Sequence, residues 1–218
     1  MRNTRKPKNQ KRESEMKLPS VEYCHGLFQQ YHVPKNIFEH CTKVSEVATD
    51  IARKLKANGT ELDVGLVQIG ALLHDLMKAV MIKNLTETNK FGYTPTKKEI
   101  ETWKTLRTQF ADKKHESEIT SEIIKDEYPE LARFILHEGI LSSDVITERD
   151  WEEKVIHYAD WRVLGTKVVP LEERFADFRV RYAQTIGSDD RKWRAIREAE
   201  RKAEKEIADA LHIQPEEL

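Results

Sequence analysis

A chain of 218 residues with 37 Lys or Arg against 38 Asp or Glu carries a formal charge of −1, and 39% of its residues are apolar against 34% charged. That length ordinarily builds one domain with a real core. So much charge with only 8 Gly and 7 Pro suits helices with one buried stripe, not a strand-rich sandwich, which needs turn signals every ten residues or so. The near-neutral balance argues against a dedicated nucleic-acid groove. No apolar run approaches the ~20 residues of a membrane span, and no signal-peptide core follows the basic start. Two cysteines, Cys24 and Cys41, form no CxxC pair, which points to a reducing cytoplasm rather than a secreted disulfide scaffold.

In chain order, residues 1–17 come first, with seven Lys or Arg against two Glu and no apolar residue between Met1 and Met16. They cannot bury enough surface to offset their ordering entropy and read as a disordered basic tail, with contact to nucleic acid the less favoured use of it. Ser20 caps a helix over Val21–Gln30, and Pro34 opens a long one that ends before Gly59, striped by Ile37, Cys41, Val44, Ala48, Ile51 and Leu55. Asp63 caps the next, with the stripe Leu66, Ile69, Leu73, Leu76 and Val80; residues 82–97 then read as a loop. Helical spacing returns at Ile100, Trp103, Leu106 and Phe110, then at His115, Ile119 and Ile123, then from Pro129 to His137 before Gly139. After a turn at Ser142–Asp144 a helix covers Trp151–Leu164, closed by Gly165. Pro170 opens another with Leu171, Phe175 and Phe178, and beyond Gly187 a last one, capped by Ser188 or Asp189, carries Trp193, Ile196, Ala203 and Ile207. Nothing reads as a strand. The expected fold is all-α.

The histidines carry the chemistry. His40, His74, His115, His137 and His157 fall on or beside apolar stripes, and an imidazole left without a polar partner in a core costs about 1–3 kcal/mol. Asp75 follows Leu72, Leu73 and His74, and Asp160 shares a face with Ile156 and Val163. Lone carboxylates there meet a large desolvation cost. Imidazoles and carboxylates converging on one core relieve each other by holding a cation, and mixed nitrogen and oxygen donors suit Mn, Fe, Co, Ni or Zn better than Ca or Mg.

The order His40, then His74-Asp75, then Asp160 resembles the H…HD…D signature of HD-domain metalloproteins. Ala71-Leu-Leu-His-Asp-Leu-Met-Lys78 resembles that family's apolar-HD-apolar-x-Lys segment, with Met77 where a small residue is common. Tyr158-Ala-Asp160 and Leu171-Glu-Glu-Arg-Phe175 resemble its closing helices. The resemblance covers about residues 20–186 and implies a helical bundle. The chain would then divide into the tail (1–17), an HD domain (18–187) and a C-terminal helix (188–218) packing on or extending from it. It further implies one ion at His40, His74, Asp75 and Asp160, and, from the order H…HD…H…H…D, a second at His115, His137 and a bridging Asp75. In the family a lysine at the place of Lys78 contacts the substrate's anionic group, and Arg162 and Lys167 flank the Asp160 helix as further phosphate contacts. Asp75 and Lys78 are the expected catalytic pair.

The activity implied is metal-dependent hydrolysis of a nucleotide or other phosphate ester, with the hydrolases of diadenosine tetraphosphate a near likeness. Two alternatives stay open: an HD-fold di-iron oxygenase, and a regulatory module binding metal or nucleotide without turnover. His157 reads as core or as support for the ligands. His25, His32 and His212 have no assigned role, and the oligomeric state is open.

Overall fold

The computed structural model describes residues 16–86, 88–139, 149–183 and 190–218. Helix α1 (Val21–Gln30) begins where Ser20 accepts a hydrogen bond from the Tyr23 amide. Helix α2 (Lys35–Ala57) starts behind Pro34, and all six of its stripe residues are buried. Helix α3 (Val64–Leu73) is capped by Asp63, whose carboxylate accepts from the Gly65 and Leu66 amides. The short helices α4 (Lys78–Met81) and α5 (Thr88–Phe91) follow, then α6 (Lys97–Gln109), whose Thr96 and Glu99 form a reciprocal capping box. Next come α7 (Glu116–Ile124), α8 (Pro129–Glu138) with Pro in its first turn, and α9 (Trp151–Arg162) capped by Asp150. Helices α10 (Leu171–Arg181) and α11 (Asp190–Leu211) close the chain. The fold is all-α as expected.

At the centre, α2 packs on α3, and α9 lies against both; α8 packs on α3 and α9, and α11 docks on α9 and α2. Gly70 of α3 allows a close approach. A Cβ there would lie 2.7 Å from Phe134 of α8 and 2.8 Å from Ile156 of α9, so no larger residue fits without moving buried side chains.

The structure departs from expectation at three places. The stripe from Leu66 to Val80 is not one helix: α3 stops at Leu73, and residues 74–77 form tight turns with the amides of Leu76, Lys78 and Val80 bonded three residues back. The cause is local, because the His74 ring takes the Ala71 carbonyl, an acceptor the helix would otherwise use. Next, the helix expected to reach Leu164 ends at Arg162 and gives way to a small antiparallel hairpin, β1 (Val163–Leu164) with β2 (Lys167–Val168). Gly165 turns it at φ +64°, a conformation glycine adopts without strain. Lastly, the loop after residue 81 contains α5.

The stretch Val64–Met81 is long and apolar enough to cross a membrane by composition, but 67% of it is buried inside this fold. Of the expected basic tail, residues 1–15 lie outside the described residues; Met16 packs against the core and Lys17 stands 4.9 Å over the Tyr128 ring. The turn at Ser142–Asp144 and the cap at Gly187–Asp189 also lie outside the described residues.

Candidate metal centre

Three elements bring four side chains together. His40 projects from the second turn of α2, His74 and Asp75 from the turn that ends α3, and Asp160 from the last turn of α9. Ligand atoms of His40, His74 and Asp75 all lie within 4.8 Å of one another. Asp160 Oδ1 is 2.9 Å from His40 Nε2 and 3.8 Å from His74 Nε2, which is also 3.8 Å from Asp75 Oδ2.

Backbone carbonyls orient both rings. The Nδ1–H of His40 donates to Gly165 O at 3.0 Å and that of His74 to Ala71 O at 2.7 Å. A carbonyl only accepts, so each Nδ1 carries its proton and each Nε2 turns toward the carboxylates. At 2.9 Å the His40 Nε2 lone pair and Asp160 Oδ1 would be two acceptors facing each other, which demands a proton or a cation between them. Imidazoles fixed this way by carbonyls are the usual support of metal-binding histidines. The residues therefore fit a divalent ion held by two nitrogens and two oxygens.

The electrostatics agree. Burial works against the ionised form of both carboxylates, yet the Lys78 ammonium and His74 hold Asp75 below the ordinary carboxylate range. His40, with His74 and Arg174 behind it, holds Asp160 well below. Burial pushes the neighbouring Cys41 thiol well above the ordinary thiol range.

Lys78, one turn beyond Asp75, donates to Asp75 Oδ1 at 3.2 Å and to Glu116 Oε1 at 2.5 Å. Although burial favours its neutral form, the two carboxylates keep it protonated. Glu116 is a buried member of this site that the sequence reading missed. Its adjacency to His115 was the available signal, but nothing in sequence spacing places it beside a lysine 38 positions earlier.

His115 and His137 are placed elsewhere. His115 is the N-cap of α7 rather than a helix-interior residue; its ring takes the Ser117 hydroxyl at 2.8 Å, and its Nε2 is 3.6 Å from Glu116. His137, on α8, pairs with Glu153 at 2.5 Å. Their side chains are 45% and 54% exposed, and among the described residues neither joins the group close enough to share one ion. Arg162 spends its guanidinium on Val169 O, the Tyr158 hydroxyl and Glu204, where it ties the hairpin to α11. Lys167 is exposed on β2. Arg174 of α10, which the sequence reading did not single out, comes within 3.9 Å of Asp160.

A cavity of about 940 Å³ lies between α1, the start of α2 and the Phe91–Tyr93 segment, and none of the four clustered residues lines it.

A bundle of this kind, with HD at the end of its central helix and further ligands from two flanking helices, defines a metal-binding helical domain. The sequence profile of the HD domain family matches residues 37–161, and the chain belongs to that family. It is also 32% identical over 151 residues to an uncharacterized protein of Methanocaldococcus jannaschii, covering 67% of this chain and 78% of that one. No solved structure matches. HD domains bind divalent metals and are generally metal-dependent hydrolases; the match spans His40, the His74-Asp75 pair and Asp160.

Proposed function

We propose that the chain is a metal-dependent phosphohydrolase acting on a nucleotide or another phosphate ester in the cytoplasm, with residues 18–187 as its catalytic unit. The observation that carries this reading is the convergence of His40, His74, Asp75 and Asp160 with a half-buried, protonated Lys78 beside them. The two cysteines, buried and unpaired, fit a reducing compartment.

His40, His74, Asp75 and Asp160 would hold a divalent transition metal, which when bound would supply Lewis acidity toward water and phosphate. Asp75, ionised and bonded to Lys78 through Oδ1, would orient the attacking water beside that ammonium. Lys78 neutralises a non-bridging phosphate oxygen as charge builds there, and Glu116 holds its ammonium in place. His40 and His74, each locked by a backbone carbonyl, keep the ligand geometry fixed as the substrate enters. The reading needs one ion. The di-iron alternative needs a second ion, and neither His115 nor His137 is in the group of His40, His74 and Asp75 whose ligand atoms lie within 4.8 Å of one another.

The test is phosphate release by the Mn(II)- or Co(II)-loaded full chain across nucleotides, sugar phosphates and dinucleoside polyphosphates. The expected result is release from at least one substrate, lost with chelator and restored by metal. Retained metal with no release from any substrate contradicts the proposal and favours a regulatory module.

A further inference from the structure

The geometry points to Arg174 as a phosphate-binding residue of this site, selecting a terminal phosphoryl group; the inference rests on the phosphohydrolase reading above. Arg174 lies on the buried face of α10, three residues after Leu171 and four before Phe178, both of which are core. Its side chain is 12% exposed and its guanidinium stands 5.8 Å over the Trp161 ring. Nη1 donates to Asp177 at 3.2 Å, Nη2 is 3.9 Å from Asp160 Oδ1, and Nε is sealed from solvent with no acceptor among the described residues.

These contacts do not use the group up. At 3.9 Å the Nη2–Asp160 contact is an attraction between charges and too long for a hydrogen bond, and Asp177 accounts for only one of the five donors. Packing on Trp161 therefore fixes the guanidinium, and what it offers to the metal cluster is an Nη2 with donors to spare. Arg162, by contrast, gives hydrogen bonds to Val169 O and the Tyr158 hydroxyl.

Asp160 and Asp75 stand 3.8 Å from the same His74 nitrogen, and each has its own cation, Arg174 at Asp160 and Lys78 at Asp75. A phosphoryl group entering between them meets one cation at each carboxylate and the metal ligands in the middle. A terminal phosphate has three non-bridging oxygens to divide among these three positions. A diester has two, and leaves one position unmet. Arginine suits the task because it remains charged and binds phosphate through directed donors.

The experiment is calorimetric titration of the Mn(II)-loaded full chain with inorganic phosphate and, separately, with dimethyl phosphate, for wild type, Arg174→Gln and Arg174→Lys. Mn(II) affinity and melting temperature are measured on the same samples. Wild type is expected to bind inorganic phosphate more tightly than dimethyl phosphate. Arg174→Gln should weaken inorganic phosphate roughly 10- to 100-fold, the value of a charge-assisted contact, with Mn(II) affinity unchanged. Arg174→Lys should fall between the two, and it carries the test alone if the glutamine variant does not fold. Unchanged phosphate affinity in the variants overturns the role of Arg174 and leaves the hydrolase reading standing. A matching loss of Mn(II) affinity overturns it too, since Arg174 would then merely position Asp160. Wild type that holds Mn(II) but binds no phosphate removes both readings together.

Discussion

Asp75→Ala is expected to yield a folded chain that retains no transition metal and releases no phosphate. Asp75 sits in the turn after α3, where its carboxylate faces His74 at 3.8 Å and Lys78 at 3.2 Å. Losing an outer partner of a metal ligand already lowers metal affinity about 10- to 100-fold, so losing the ligand itself should exceed that. The helices should persist, because the stripes of α2, α3 and α9 that make the core remain untouched. Lys78 keeps Glu116 as its partner, so the substitution does not leave its ammonium unpaired. Elemental analysis, circular dichroism and a phosphate-release assay on the same preparation check all three parts. Wild-type turnover in the variant would assign the activity to something other than this site.

His157→Ala is expected to be the most damaging change outside the centre, costing about 3–5 kcal/mol. Helix α11 docks on α9 through polar contacts that are mostly buried. Lys154 meets Glu206 at 2.6 Å, His157 meets Glu200 at 3.0 Å, and Tyr158 donates to Glu204 at 2.9 Å. Glu200 has no solvent exposure at all, so removing His157 strands a carboxylate in the core. The melting temperature should fall by on the order of 10 °C. The double change His157→Leu with Glu200→Leu should recover most of that loss, since a buried pair replaced by packed apolar groups is often neutral. If the single and double variants melt alike, the pair is not what holds α11. Because α9 carries Asp160 one turn beyond His157, undocking of α11 should also loosen the fourth ligand.

The sequence made the helices legible wherever a stripe and a cap agreed. Ser20, Pro34, Asp63 and Pro129 stand at or one residue before the helix starts they were expected to mark. The four clustered residues were legible for a related reason: an inward Asp75 and Asp160 have no apolar explanation, and the family order supplied the rest. What could not be read was the competition between local bonds. The stripe Leu66–Val80 is continuous in spacing, yet the His74 ring claims the Ala71 carbonyl and turns the chain, and that is what aims His74 and Asp75 at His40. The hairpin at Gly165 was hidden because two-residue strands have no period to detect, although its turn supplies the carbonyl that orients His40. Glu116, Arg174 and Glu200 were not singled out in sequence, since the groups they face lie on other helices.

The central claim is that one transition-metal ion belongs between His40, His74, Asp75 and Asp160. Titration of chelator-treated full chain with Mn(II), followed by calorimetry and by the melting temperature, tests it most directly. The account predicts one tight ion per chain and a raised melting temperature, because a ligand that binds only the folded state stabilises it, with both effects lost in Asp160→Ala. A chain that takes up no ion and melts at the same temperature with or without Mn(II), Co(II), Fe(II), Ni(II) or Zn(II) would contradict it.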